Sequence, residues 1–258
     1  MTDAGDAFYS LILAYHHVTA TEPAGAARRY ALSARQFEAH IEYLLARGYR
    51  CLSLDELVLA SARRPRAFAL TFDDGYADFI EHAYPILERH ALTATVFLVA
   101  ERIGGQSDWE GEASAALLDW RQIRELQRAG ITFGSHTRTH RRLTQLTAAE
   151  LQDELQGSKG QLEAGLGAPV TALAYPFGDS DAVVQQAAAA AGYALACGST
   201  TGRPGRFNIW RCPCGSSQVD FAFEISPWGR RWRRLRQWAR EETAAGRLAR
   251  RLKRRLTS

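Results

Sequence analysis

Short apolar runs alternate with amphipathic stretches along most of the chain. The apolar runs include residues 8–14, 68–72, 94–100 and 171–175, and such runs are typical of parallel strands that are buried on both faces. In the stretches between them, apolar residues recur at helical spacing, as they do after Ser33. Because strand and helix patterns alternate, the sequence predicts a parallel β/α architecture.

Helix starts are marked by hydroxyl side chains that stand three residues before a Gln or a Glu. The pairs are Ser33 with Gln36, Ser53 with Glu56, and Thr147 with Glu150. This spacing predicts a capping box, and helices that begin there would cover the sheet. The chain has 258 residues, of which 46% are hydrophobic, so it can bury one large core. We expect an α/β fold, a single irregular (β/α) barrel of about seven strands, with its site at the strand C-termini.

Two adjacent carboxylates follow the strand predicted at residues 68–72. Neighbouring side chains of an extended chain point to opposite sides, so Asp73 and Asp74 should face different partners. One carboxylate could bind a metal while the other accepts and donates protons. Gly75 lets the backbone turn sharply after them. A solvated turn or a helix N-cap is the simpler interpretation of these three residues alone, so the chemical interpretation requires matching ligands elsewhere in the chain.

Two histidines follow a second strand-like run, residues 130–134. His136 and His140 are four residues apart, and they reach the same point if they flank one helical turn. Such a pair lacks only a charged third ligand to form a zinc site, and Asp74 would supply it. The spacing alone is often a coincidence. Here both segments follow an apolar strand, and this favours a metal site.

Three segments occur in an order that resembles a known family. TFDDGYAD at 71–78, SHTRTH at 135–140 and AYPFG at 174–178 are similar to the successive motifs of the polysaccharide deacetylases, carbohydrate esterase family 4. The likeness extends from about Leu11 to about Ser217. It implies a hydrolase that releases acetate from an N-acetylated glycan, with zinc or a similar divalent ion as cofactor.

The resemblance also implies roles for individual residues. It implies Asp73 as the general base, and Asp74, His136 and His140 as the metal ligands. The backbone N–H of Phe177 would help to hold the oxyanion.

The first predicted strand ends in Tyr15-His16-His17-Val18. A single histidine in such a place is more often structural than catalytic. However, the segment resembles the permuted exopolysaccharide deacetylase branch of the family, in which an N-terminal Tyr-His-x-Val segment brings the general acid. His16 matches that histidine, and no LxH-type motif follows residue 200. The resemblance therefore implies that His16 is the acid.

One residue departs from the family pattern. Many members have an arginine that orients the base where this chain has Ala174. As a hypothesis, Arg211 takes its place, because it follows a strand-like run at residues 207–210.

The remaining site candidates are predicted substrate contacts. Trp109 lies in a long loop and could stack on a sugar ring or equally pack on the core. The pair Asp119-Trp120 begins a helix, and family members have a comparable pair that lines the groove. Tyr175 and Pro176, in the third motif, complete the predicted set.

The last part of the chain differs in composition. Residues 229–258 carry 12 Lys or Arg and 2 Glu, a charge of +10 within an overall charge of +4, so the rest of the chain carries −6. Residues 1–227 are therefore expected to form the deacetylase-like domain, and residues 228–258 a basic amphipathic tail. The tail could lie as a helix on an anionic membrane surface, or be solvated and partly disordered. It has no recognised nucleic-acid motif, and no nucleic-acid partner is expected.

Neither a basic leader nor an apolar run of about 18 residues is present, so we expect a cytoplasmic protein that is peripheral at the inner face of the membrane. The four cysteines are expected to be reduced. Cys212-Pro213-Cys214 lacks the usual metal-binding spacing and is more typical of small buried strand residues.

Two other classes of function remain as alternatives. The barrel could bind carbohydrate or membrane without catalysis, although a binder has no need of a base, a metal triad and an acid. A zinc-dependent nuclease or phosphatase would need ligands for a second metal, which the sequence does not offer. Among deacetylases, the substrate could be a polysaccharide, a lipid-linked glycan, or a small soluble sugar or amide.

Overall fold

A parallel β-sheet forms the centre of the molecule. The computed structural model describes residues 11–59, 66–109, 114–198, 204–215, 221–222 and 225–226. The strands are β1 (Leu11–Tyr15), β2 (His17–Thr19), β3 (Ala31–Ser33), β4 (Arg50–Cys51), β5 (Ala67–Phe72), β6 (Thr95–Leu98), β7 (Thr132–Ser135), β8 (Ala172–Ala174), β9 (Leu195–Gly198), β10 (Ile209–Trp210) and β11 (Cys212–Pro213).

Eight of these strands form a nearly closed barrel in the order β10-β9-β8-β7-β6-β5-β1-β11, in which every pair is parallel. In addition, β4 pairs with the start of β5, and β2 pairs with β3 in a separate ribbon. The predicted (β/α) barrel is confirmed. The expected number of about seven strands is close to the eight strands of this barrel.

Helices flank the sheet. They are α1 (Ala34–Leu45), α2 (Leu54–Leu59), α3 (Tyr84–Arg89), α4 (Trp120–Arg128), α5 (Ala148–Gln152), α6 (Ser158–Leu166) and α7 (Ala182–Ala190). A π-helical turn, Phe79–Ala83, precedes α3, and another, Asp153–Gly157, joins α5 to α6. The predicted capping boxes of Ser33 with Gln36 and Thr147 with Glu150 are both formed. Ser53 and Glu56 also exchange the two capping hydrogen bonds.

Side chains of the central strands alternate between two hydrophobic clusters, as the period of a β-strand requires. In β5, Phe68, Leu70 and Phe72 belong to the large cluster that contains the helix side chains. Ala67 and Ala69 belong to a smaller cluster, which also contains Leu54 and Leu57 of α2. Most helix side chains therefore pack on one face of the sheet, and the smaller cluster on the opposite face combines small residues such as Ala69 with larger ones such as Phe97 and Leu195.

The predicted basic tail, residues 228–258, lies outside the described residues. Its membrane contact, the domain boundary and the expected cytoplasmic location therefore stay predictions. Of the described helices, none has the length and apolar character needed to cross a membrane.

The four cysteines form no disulfide. Cys212 lies in β11, and both it and Cys214 are buried. This agrees with the interpretation of the Cys-Pro-Cys segment as small buried residues of a strand.

Candidate active site

Asp73 and Asp74 follow β5 directly and face different partners, as predicted. The carboxylate of Asp73 accepts hydrogen bonds from Arg211. Oδ1 of Asp74 lies 3.4 Å from Nε2 of His136 and 3.1 Å from Nε2 of His140. Asp74 has a positive φ of 71° and Gly75 one of 73°, so the chain turns away immediately after the two acids. This turn separates two functional groups that are adjacent in sequence.

The side chains of Asp74, His136 and His140 form a buried cluster, in which one possible ligand atom from each lies within 4.8 Å of the others. In the described part of the chain, Oδ1 of Asp74 is buried and accepts no hydrogen bond. Two imidazoles and one carboxylate are a donor set that binds zinc and similar divalent ions while leaving coordination positions open. The residues present therefore fit a divalent metal.

His136 is oriented for this task by the backbone. Its Nδ1 lies 2.8 Å from the carbonyl oxygen of Ala174, the last residue of β8. With Nδ1–H donating to that carbonyl, the lone pair of Nε2 faces Asp74. Burial lowers the pKa of His136 to about 4, so the ring is neutral at neutral pH. A neutral imidazole is the form that binds metal.

The two acids are ionised at neutral pH. Burial alone would raise the pKa of Asp73, but the Arg211 guanidinium outweighs burial and holds that pKa well below its ordinary value. Burial would likewise raise the pKa of Asp74, yet contact with His140 and the nearby His136 lowers it. Both carboxylates are therefore negative and able to attract a cation or a proton.

The segment between the two histidines is not the helical turn that their spacing suggested. Thr137 and His140 have positive φ values of 68° and 66°. Local hydrogen bonds support this shape: the Ser135 hydroxyl accepts from the N–H of Thr137 at 3.1 Å, and the Thr137 hydroxyl accepts from the N–H of His140 at 3.2 Å. The imidazoles still converge, but through an irregular turn.

Backbone strain is concentrated at this site. Six non-glycine residues in the described part of the chain have a positive φ, and four of them belong to the site: Asp74, Thr137, His140 and Phe177. Such conformations are costly for side chains with a Cβ, and they persist where surrounding contacts impose them, often at functional sites.

Glu154 is a site residue that the sequence interpretation missed. Its Oε2 accepts the backbone N–H groups of Arg138 and Thr139, each at 2.9 Å, and its Oε1 accepts the Thr139 hydroxyl. The carboxylate is buried and fixes the turn that carries both histidines. The sequence contained a signal for this role. Glu154 follows the apolar Leu151 by three residues, so both lie on the inward face of the helical segment.

Arg211 lies between β10 and β11, at the edge of the barrel where β1 and β5 end. Nη1 donates to Oδ1 of Asp73 at 2.6 Å, Nη2 donates to Oδ2 at 2.7 Å, and Nη1 also donates to the Thr71 hydroxyl at 3.1 Å. All three side chains are buried. Arg211, which was proposed to replace the arginine missing at position 174, thus contacts the predicted base. Its effect on catalysis stays a prediction.

His16 lies beside the same carboxylate. Its Nε2 is 3.9 Å from Oδ2 of Asp73, and a quarter of its side chain, 24%, is exposed. The edge of the ring packs against Tyr30, with 5.2 Å between ring centroids. The predicted acid and the predicted base are therefore adjacent, and His16 is accessible to solvent.

A pocket of about 380 Å³ opens beside His140 and is lined in part by Trp109, Phe177 and Arg142. The rings of Trp109 and Phe177 lie 4.3 and 4.8 Å from the His140 ring. Nε1 of Trp109 donates to the Tyr76 hydroxyl at 2.8 Å. Trp109 therefore packs on a predicted ligand and also lines the pocket, while its stacking on a sugar ring stays a prediction.

Four predicted substrate contacts lie elsewhere. Tyr175 is buried and donates its hydroxyl to the carbonyl of Phe207, and Pro176 is buried beside it. Asp119 caps α4 by accepting the N–H of Gln122. Trp120 lies so close to Gly165 that a Cβ there would meet its ring at 2.0 Å. None of the four lines the described pocket, and their contact with substrate stays a prediction.

The chain is similar in sequence to known proteins. Residues 60–196 match the polysaccharide deacetylase family. The chain is 31% identical over 176 residues to the Bacillus subtilis protein YxkH, covering 67% of this chain and 60% of that one. It is 24% identical over 184 residues to a poly-beta-1,6-N-acetyl-D-glucosamine N-deacetylase of Staphylococcus aureus, covering 65% and 62%. The chain thus spans about three fifths of the length of these curated relatives.

The fold of this chain is similar to that of a solved structure. The Streptococcus pyogenes deacetylase PplD, determined in complex with acetate, aligns with a TM-score of 0.73 and 25% identity, covering 84% of this chain and 98% of that one.

Proposed function

Because the chain belongs to the polysaccharide deacetylase family, we propose that it hydrolyses the N-acetyl group of an acetamido sugar in a polysaccharide or lipid-linked glycan. The products are acetate and a free amino sugar. The observation that carries the proposal is a buried Asp74, His136 and His140 cluster next to a carboxylate that Arg211 holds by both oxygens. This combination would supply a metal site and a base next to each other.

An amide is a weak electrophile with a poor leaving group, so its hydrolysis needs several kinds of assistance at once. Asp74, His136 and His140 would hold the divalent metal, zinc or a similar ion. When bound, such a metal polarises the acetyl carbonyl and lowers the pKa of water.

Asp73 acts as the base in this proposal. Its carboxylate is ionised and has lone pairs that are not directed at Arg211. It takes a proton from the water whose oxygen attacks the acetyl carbon. The fixed guanidinium prevents the carboxylate from rotating away, so the base stays oriented toward the reacting water.

His16 acts as the acid. Its Nε2 is close to Asp73, at 3.9 Å, and its partial exposure lets it contact a sugar. It donates a proton to the amide nitrogen as the C–N bond breaks, so the sugar leaves as a neutral amine. The backbone N–H of Phe177 would help to stabilise the negative charge that develops on the acetyl oxygen.

Two relatives support the substrate class. The Staphylococcus aureus relative is named for deacetylation of poly-beta-1,6-N-acetyl-D-glucosamine, and the PplD structure contains acetate, which would be the product of this reaction. The alternative of a small soluble sugar or amide requires the same chemistry and differs only in the size of the substrate.

A direct assay tests the proposal. Acetate release is measured from a panel of free, polymeric and lipid-linked acetamido sugars, with Asp73→Asn as the control. We expect release from at least one glycan by the wild-type protein and a loss of at least about 100-fold in the variant. Binding of the glycans with no acetate release from any of them would favour the catalytically silent barrel instead.

A further inference from the structure

Two arginine–aromatic pairs flank the candidate active site. The Arg142 guanidinium lies over the Phe177 ring, 4.0 Å from its centroid, and the other contact of that ring is His140. The Arg29 guanidinium lies 5.1 Å from the centroid of Tyr30, whose ring contacts His16. His16 and His140 are each followed outward by an aromatic ring and then by an arginine.

These two arginines differ from others near the pocket. Arg102 pairs with Asp108 at 2.6 Å, and Arg141 pairs with Glu150 at 3.0 Å. Among the residues that the structure describes, no carboxylate lies within ion-pairing distance of Arg29 or Arg142. Both are exposed, so their charges are available to a ligand.

Contact with an aromatic ring orients an arginine without consuming its hydrogen bonds. The ring interacts with the flat face of the guanidinium, while its five N–H donors point outward along the edge. Those edges match the geometry of a carboxylate or a phosphate. An anionic substrate at this site would meet Arg29 beside Tyr30 and His16, and Arg142 beside Phe177 and His140.

We infer that the glycan substrate is anionic and carries carboxylate or phosphate groups near the sugar that is deacetylated. This inference rests on the proposed function. The pocket beside His140, with Trp109 and Phe177 as walls and Arg142 at its rim, would take a charged neighbouring sugar. Its volume of about 380 Å³ lies within the range of small-molecule sites.

The test compares three tetrasaccharides of equal length. One contains only N-acetylglucosamine, one alternates N-acetylglucosamine with glucuronate, and one is the neutral tetrasaccharide with a phosphate at its reducing end. The second and third distinguish a carboxylate from a phosphate as the source of charge. Acetate release is measured for the wild type, Arg29→Gln, Arg142→Gln and the double variant. Arg124→Gln, which removes an exposed charge from α4, is the matched control.

We expect kcat/KM for one charged tetrasaccharide to exceed that for the neutral one by about ten-fold at low salt, and the difference to shrink as salt rises. Each single variant should lower this preference about three-fold through KM, the size of an exposed ion pair. The double variant should abolish it, and Arg124→Gln should leave it unchanged. Equal kcat/KM for charged and neutral substrates in the wild type, or a preference that survives in the double variant, would overturn the inference.

A binding measurement separates this inference from the proposed function. If no tetrasaccharide releases acetate, calorimetric titration of the same three compounds into the wild type and the double variant still tests charge recognition. Tighter binding of a charged compound by the wild type alone supports the inference. Equal binding of charged and neutral compounds overturns it.

Discussion

Arg211 holds Asp73 through two parallel hydrogen bonds of 2.6 and 2.7 Å, although 138 positions separate these residues in the chain. Both side chains are buried, so neither charge is compensated by bulk water. The pairing gives Asp73 one orientation and keeps it ionised. A bidentate guanidinium does both more effectively than a single point charge could.

Replacing Arg211 should therefore damage the site in two ways. Arg211→Ala leaves a buried carboxylate unpaired, which should cost about 3–5 kcal/mol in the free energy of unfolding. Acetate release should fall by about 100-fold or more, because the base is no longer oriented. Arg211→Lys keeps the positive charge but cannot donate two parallel hydrogen bonds. Its stability and activity should therefore lie between those of the wild type and Arg211→Ala. Urea unfolding and an acetate assay measure these effects, with Arg124→Ala as the surface control. A stable, fully active Arg211→Ala protein would remove Arg211 from the mechanism.

Removal of divalent metal should abolish activity. We expect treatment with a chelator to stop acetate release, and added zinc or another divalent ion to restore it, because Asp74, His136 and His140 form a site that fits such an ion. His136→Gln should lower the bound metal measured by elemental analysis, whereas the control His82→Gln should not. Undiminished activity in metal-free protein would contradict the assignment.

Glu154 should act through the turn that it holds. Glu154→Ala removes the acceptor of two partly buried N–H groups and one hydroxyl, and each group left unsatisfied costs at most about 1–3 kcal/mol. The affinity for metal should fall about 10- to 100-fold, as for other residues that orient ligands. Titration against a competing chelator measures this, with Glu125→Ala as the exposed control. An unchanged metal affinity would reduce Glu154 to a purely structural role.

The capping box of α5 should make stability depend on pH. Hydrogen bonds from the backbone and hydroxyl of Thr147, and then from Arg141, lower the pKa of Glu150 to about 2, below the value of about 4.3 in an unfolded chain. The folded-state pKa is the lower one, so ionised Glu150 stabilises the protein above about pH 4.3. This contribution disappears as the pH falls toward 2. The difference in unfolding free energy between wild type and Glu150→Gln should therefore close over that range. A difference that is independent of pH would exclude this explanation.

The cysteines should resist thiol reagents in the folded protein. Burial raises the pKa of Cys51 to about 11 and that of Cys197 to about 12, so both stay protonated near pH 8, where the reactive thiolate is required. Cys212 and Cys214 are buried. We expect slow reaction with a disulfide reagent at pH 8 and complete reaction of four thiols in denaturant. Rapid modification of the native protein would show that these positions open readily.

The sequence was most informative where a local pattern determines the geometry. Alternation along a strand predicted that Asp73 and Asp74 would face different partners, and hydroxyl spacing predicted the caps at Ser33 and Thr147. The absence of an arginine at position 174 directed attention to Arg211. The direction of the two acids and the helix caps depend on interactions within a few residues. The missing arginine at position 174 is a visible departure from the family pattern.

The sequence was less informative where tertiary contacts override local preference. Thr137 and His140 adopt positive φ values that their residue types do not indicate, so the spacing of the histidines suggested a helical turn instead. Asp119 caps α4 and Trp120 packs near Gly165, and their predicted position in the groove stays a prediction. Sequence alone does not reveal that the Trp120 ring packs against Gly165.

The pairing of β1 with β11, through Leu13 with Cys212 and Ala14 with Pro213, joins an early strand to a late one. Arg211 adjoins β11, so Asp73 acquires its guanidinium only after nearly the whole barrel has been synthesised. A nascent chain whose residue 211 is still inside the ribosome can already expose Asp74, His136 and His140, yet the carboxylate of Asp73 has no guanidinium partner. The ion pair that orients Asp73 therefore forms late in synthesis, after the neighbouring strands of the barrel are available.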